Sequence, residues 1–92
     1  MLQLSGKKLM NREPVALSEL RHGEEAVLEH LELPADDAQR MMELGFLPGT
    51  LVAVAKSAPG GDPRVYRVDG SEFAIRHDTA SRLKVRPQQS PV

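Results

Sequence analysis

The residues able to do chemistry are few, and they are scattered. The three histidines, His22, His30 and His77, fall in different parts of the chain. Neither an HExxH spacing nor a glycine-rich phosphate cradle accompanies them. Ser18, Ser57, Ser71 and Ser81 lack the elbow motif that exposes a hydrolase serine. Asp36 and Asp37 are adjacent, and neighbours on a helix point in different directions, so they suit the positive end of a helix dipole better than shared acid–base work. With 0 cysteines, disulfides, thiolate metal centres and cysteine nucleophiles are excluded. No catalytic constellation remains, and the chain reads as a non-enzyme. Two pairs keep metal chemistry open. His30 and Glu32 stand two apart on an expected strand and so face the same way. His77 and Asp78 are expected at the end of another strand. Each pair offers part of a ligand set for a weakly held divalent ion, Fe²⁺ or Zn²⁺, and no cofactor is required.

The elements that must position these groups follow from periodicity and turn residues. Leu17 to Gly23 reads as a short helical turn ended by Gly23. Ala26, Leu28, Leu31 and Leu33 mark a strand whose apolar spacing slips across Glu29–His30, as a bulge would make it. Pro34 ends that strand. Ala35 to Leu44 forms a helix, with Ala38, Met41, Met42 and Leu44 on its apolar face. Gly45 then supplies the left-handed residue that stops the helix, and Pro48–Gly49 turns the chain. Thr50 to Lys56 reads as a strand buried on both faces. Val65 to Val68 and a return strand from about Phe73 to Arg76–His77 flank Asp69–Gly70, a type I′ hairpin signal. Asp78 is expected to cap a single helical turn, and Leu83 to Val85 closes the series.

Five short strands with one inserted helix, in a chain of 92 residues, suit a mainly β fold, a small and partly open barrel. The expected organisation is a basic arm over residues 1–14, a domain over 15–86 and a tail over 87–92. Lys7, Lys8 and Arg12 give the arm its charge. Hydrophobic residues are 40% of the chain and aromatic ones 3%, so aliphatic side chains must fill the core. A formal net charge of -1 with interspersed signs gives no global pull on nucleic acid or anionic lipid. The apolar runs are too short to span a membrane. The lack of cysteine fits a reducing, cytoplasmic setting.

With catalysis set aside, recognition is what remains. Phe46, Leu47, Pro48 and Gly49 place apolar residues beside a rigid turn, which suits a partner anchor. Gly60, Gly61, Asp62 and Pro63 form a second contact candidate, because glycines let another backbone come close. Met41–Met42 is a third sticky element, with at least one of the two expected in the core. Arg64, Arg67, Arg76 and Arg82 would make a basic strip for RNA or an acidic peptide only if they shared a face. Strand alternation puts Arg64 and Arg67 on opposite faces.

"ELGFLPGT", "APGGDPRVYRVDGSEFAIR" and "ASRLKV", in that order, resemble the FeoA family. The likeness runs from about Leu17 to about Val85. It implies an SH3-like barrel and an accessory role beside FeoB, the bacterial ferrous-iron transporter. The partner it implies is the cytosolic part of FeoB, met through the helix exit and the Gly60–Pro63 loop, with self-association as a further option. Neither a fused transporter nor an upstream helix-turn-helix is expected. Its alternatives are a divalent-metal carrier serving the transporter, or a small RNA- or peptide-binding barrel.

Overall fold

The computed structural model of the protein describes residues 13–88. The arm, up to Arg12, and the tail from Gln89 lie outside the described residues. In chain order the elements are β1 (Val15–Ala16), a 3₁₀ turn (Leu17–Glu19), β2 (Glu25–Leu31), α1 (Ala35–Glu43), β3 (Leu51–Ser57), a second 3₁₀ turn (Pro59–Gly61), β4 (Arg64–Val68), β5 (Ser71–Ile75), α2 (His77–Ala80) and β6 (Leu83–Pro87). The strands form one sheet of six in the order β1-β6-β2-β3-β4-β5, and every pairing is antiparallel. The fold is mainly β, as expected, with one strand more than the sequence suggested. The addition is β1, whose two residues pair with Val85 and Lys84 and are too few to show an alternation.

Alternation along the strands builds the core. Ala26 and Leu28 of β2, Val52 and Val54 of β3, Tyr66 and Val68 of β4, and Leu83 and Val85 of β6 are all buried. Leu17, Leu20 and Ala80 close it from the helical turns, and Phe46 fills it from the connection after α1. The slip in β2 is a true irregularity: its register against β6 shifts between Leu28 and His30. Leu31 and Leu33, beyond the shift, still pack against the core. The Asp69–Gly70 turn has positive φ at both residues, 52° and 83°, as a type I′ hairpin demands.

Five local expectations need correction. The β3 strand is buried on one face only: Val52 and Val54 point inward, while Leu51 is 45% exposed. The alanines at 53 and 55 make the run look apolar throughout without a second buried face. Gly23 does not end the first helical turn, which stops at Leu20. It belongs to the next turn, where the Glu24 N–H donates to Arg21 O (3.0 Å). His77 and Asp78 lie in α2 rather than at a strand end. Asp78 makes no capping bond there; the His77 N–H donates instead to Asp62 Oδ1 at 2.9 Å, a cap supplied from another loop. Finally, Pro87 is the last residue of β6, paired with Ala26, rather than the start of a tail.

The helix α1 is inserted into the connection between β2 and β3, and the ladder closes beneath it. The Leu28 N–H donates to Thr50 O (2.9 Å) and the Gly49 N–H to Leu28 O (2.7 Å). The helix therefore rides outside the sheet, and none of its residues is buried.

Candidate functional site

The exit of α1 is shaped by its backbone. The Gly45 N–H donates to Met42 O (3.0 Å) and the Phe46 N–H to Met41 O (3.1 Å), with Gly45 at φ 113°. This is the Schellman arrangement, in which a left-handed residue lets the chain reverse and satisfy the last helical carbonyls. The reversal drops Phe46 into the core at 0% exposure, where its ring meets Phe73 with centroids 5.5 Å apart. Phe46 is thus an internal plug, and its side chain cannot serve as the contact surface that the sequence suggested. Leu47 points the other way and is 47% exposed. Pro48–Gly49 then completes a turn in which the Thr50 N–H donates to Leu47 O (3.0 Å).

Leu47 is not alone. Among the described residues the exposed large apolar side chains are Met42, Leu44, Leu47 and Leu51, all from this one stretch of chain. Single exposed leucines are ordinary; four exposed apolar residues between Met42 and Leu51 make this stretch the candidate contact surface. The apolar face expected for α1 is therefore divided. Met41 packs on the core, while Met42 and Leu44 face water. Asp36, Asp37 and Glu43 are exposed on the same helix and give its surroundings an acidic character. Beside Leu51 a groove of about 340 Å³ runs past Ala53 and Arg67 to the Asp69–Gly70 turn.

The glycine loop is the second candidate. Gly60 and Gly61 both have φ 87°, and a Cβ added at either would meet nothing within 4 Å. The glycines serve the backbone angles, and open space lies outside them. The loop is tied at its base by the Ala58 N–H to Pro63 O bond (3.0 Å), and the Asp62–Pro63 peptide is cis. Asp62, named from sequence as a contact residue, is engaged with the His77 N–H.

The metal candidates come together only as pairs. His30 Nε2 lies 2.9 Å from Glu32 Oε2, so the two do share a face. The other Glu32 oxygen is 3.9 Å from Lys84 Nζ, a cation where a third ligand would be wanted. The hydrogen bond from His30 holds the Glu32 carboxyl below the usual glutamate range. Among the described residues no group of three or more His, Cys, Asp or Glu side chains could hold a metal ion. The set does not fit a self-contained centre. The four arginines do not assemble into a strip either. Arg64 turns inward to donate to Leu20 O, and Arg67 pairs with Glu72 at 2.7 Å.

Sequence reasoning missed Leu44 and Leu51 as surface residues and left open which of Met41 and Met42 faces outward. For Leu51 the signal was present: it is the one bulky residue out of phase with Val52 and Val54. It missed as well a small polar cavity around Arg64 and Tyr66, whose lining comes from segments distant in sequence.

Fold and site together define a class: a small SH3-like β domain that gathers its exposed apolar residues at one helix exit. The chain belongs to the FeoA domain family, whose model matches residues 15–87. It is 33% identical over 69 residues to an Fe(2+) transport protein A/Fe(2+) transporter FeoB fusion protein of Porphyromonas gingivalis. That match takes in 75% of this chain and spans only 8% of the fusion protein. The FeoA structure of Stenotrophomonas maltophilia, complexed with zinc and described as an SH3 domain protein, is 39% identical with a TM-score of 0.68, covering 77% of this chain and 88% of that one. The FeoA protein of Chlorobium tepidum is 27% identical with a TM-score of 0.78, covering 85% and 74%.

Proposed function

We propose that this protein is an accessory factor of ferrous iron uptake that binds the cytosolic part of a FeoB-type transporter and modulates it. One observation carries the reading. In Porphyromonas gingivalis a segment similar to this chain shares a polypeptide with FeoB. A covalent link holds two modules at high effective concentration. Modules that associate without such a link need a surface to do the same work. The exposed apolar residues around the α1 exit, with Leu47 at their centre, supply one, and the Gly60–Pro63 loop is a second point of contact. By binding one conformation of the transporter better than another, such a module shifts the equilibrium between them. Binding would place it at the inner face of the membrane. No described helix is long and apolar enough to cross one.

The test is a calorimetric titration of this chain with the cytosolic domain of its cognate transporter. Leu47→Asp should weaken the complex by at least about tenfold, as truncation of an anchor residue does. It should leave thermal unfolding unchanged, because Leu47 is 47% exposed. No binding by the unaltered chain, together with unchanged iron uptake after deletion, rejects the proposal. A metal-carrier role has less to stand on, since His30–Glu32 would have to borrow further ligands from a second copy.

A further inference from the structure

A cavity of about 70 Å³ lies where the glycine loop meets the start of α2, lined by Ser18, Asp62, Arg64, Tyr66 and His77 among others. It is far smaller than the roughly 300–1,000 Å³ of a drug-sized site. It has room for a few waters or one small functional group. Ser18 and Tyr66 bring hydroxyls, Asp62 a carboxylate and Arg64 a guanidinium, with His77 at the edge. Tyr66 is 1% exposed and lines the cavity beside Arg64. Arg64 is half-buried and donates to the Leu20 carbonyl, which carries no full negative charge. The ion pairs among the described residues join His30 and Lys84 to Glu32, Arg67 to Glu72 and Arg86 to Glu29, and none includes Arg64. Asp62 at the rim has its Oδ1 committed to the His77 N–H.

A half-buried guanidinium with donors to spare calls for a carboxylate, whose two oxygens match its planar fork. We propose that this cavity is a socket for a single carboxylate group. The proposal goes beyond the transporter reading and requires no transporter. The carboxylate can come from a small free acid or from the Glu or Asp side chain of a docked protein. The cavity mouth sits beside the exposed Gly61 and Asp62, so either source has access.

The experiment follows amide resonances of the isotopically labelled chain during titration with sodium acetate, with sodium chloride at matched ionic strength as the control. Acetate should move Gly61, Asp62 and His77 saturably where chloride does not. Arg64→Gln, with its spectrum still dispersed, should weaken the response at least tenfold. A blocked Gly-Glu-Gly peptide, set against Gly-Gln-Gly, separates the sources: a response to the Glu peptide alone points to a protein side chain, and to acetate alone a free acid. Should Arg64→Gln unfold, Ser18→Ala and Tyr66→Phe take its place, and both should weaken acetate binding. If neither acetate nor the Glu peptide responds beyond chloride and the Gln peptide, the proposal is overturned, as it is by a response that survives these substitutions.

Discussion

At the scale of the residue, Asp62 does work that its position in a glycine loop conceals. Its Oδ1 accepts the first N–H of α2 across 15 residues of chain. Such N–H groups have no partner within their own helix, and a side-chain oxygen supplies one. Asp62→Ala should therefore lower stability by about 0.5–2 kcal/mol in urea unfolding, with Asp62→Asn retaining part of the difference. Acid should weaken the fold through Glu29. The bond from Arg86 (Nε to Oε2, 2.6 Å) holds Glu29 below the usual glutamate range. A lowered folded-state value means that the unfolded chain binds the proton first. The stabilisation is thus present above the ordinary glutamate range and is lost as pH falls through it and below. The urea midpoint should drop between about pH 5 and about pH 3, and in Glu29→Gln that slope should be shallower.

At the scale of the element, the α1 exit shows how a backbone device sorts side chains. Gly45 reverses the chain, Phe46 goes in, and Leu47 goes out. An added Cβ at Gly45 would stand 3.6 Å from Val68 Cγ1, an ordinary contact, so space is not the obstacle. The φ of 113° is. Gly45→Ala should cost about 1–2 kcal/mol for the left-handed backbone alone, read from chemical denaturation. This device was legible in the sequence because Glu43–Leu44–Gly45 puts a helix-stopping residue where the apolar period ends. The bulge in β2 was legible too, because the spacing from Ala26 to Leu33 breaks step. What stayed hidden was set by pairing across the fold. The two residues of β1 have no pattern of their own, and the cap on α2 comes from a different loop. The direction of Phe46 and Leu47 was open until the core was built, since two adjacent apolar residues after a helix read alike from either side. The Arg64 cavity draws on the first 3₁₀ turn, the glycine loop, β4, β5 and α2, a convergence that local spacing cannot encode.

At the scale of the whole molecule, reactive groups are dispersed and exposed apolar groups are concentrated. That arrangement supports the proposed role in contact. In a strain lacking the chain, expression of Leu47→Asp should leave ferrous iron uptake at the deletion level, measured with radioactive iron, while His30→Ala should restore it. The reverse result would favour metal carriage over contact. The placement of α1 has a consequence for substitution. The backbone bonds joining Leu28 to Gly49 and Thr50 close the ladder below the helix. The segment above them behaves as a cartridge seated on a sealed collar, with the Phe46 ring as its stopper. Substitutions on its outer face therefore leave the hydrogen bonds of the sheet below untouched.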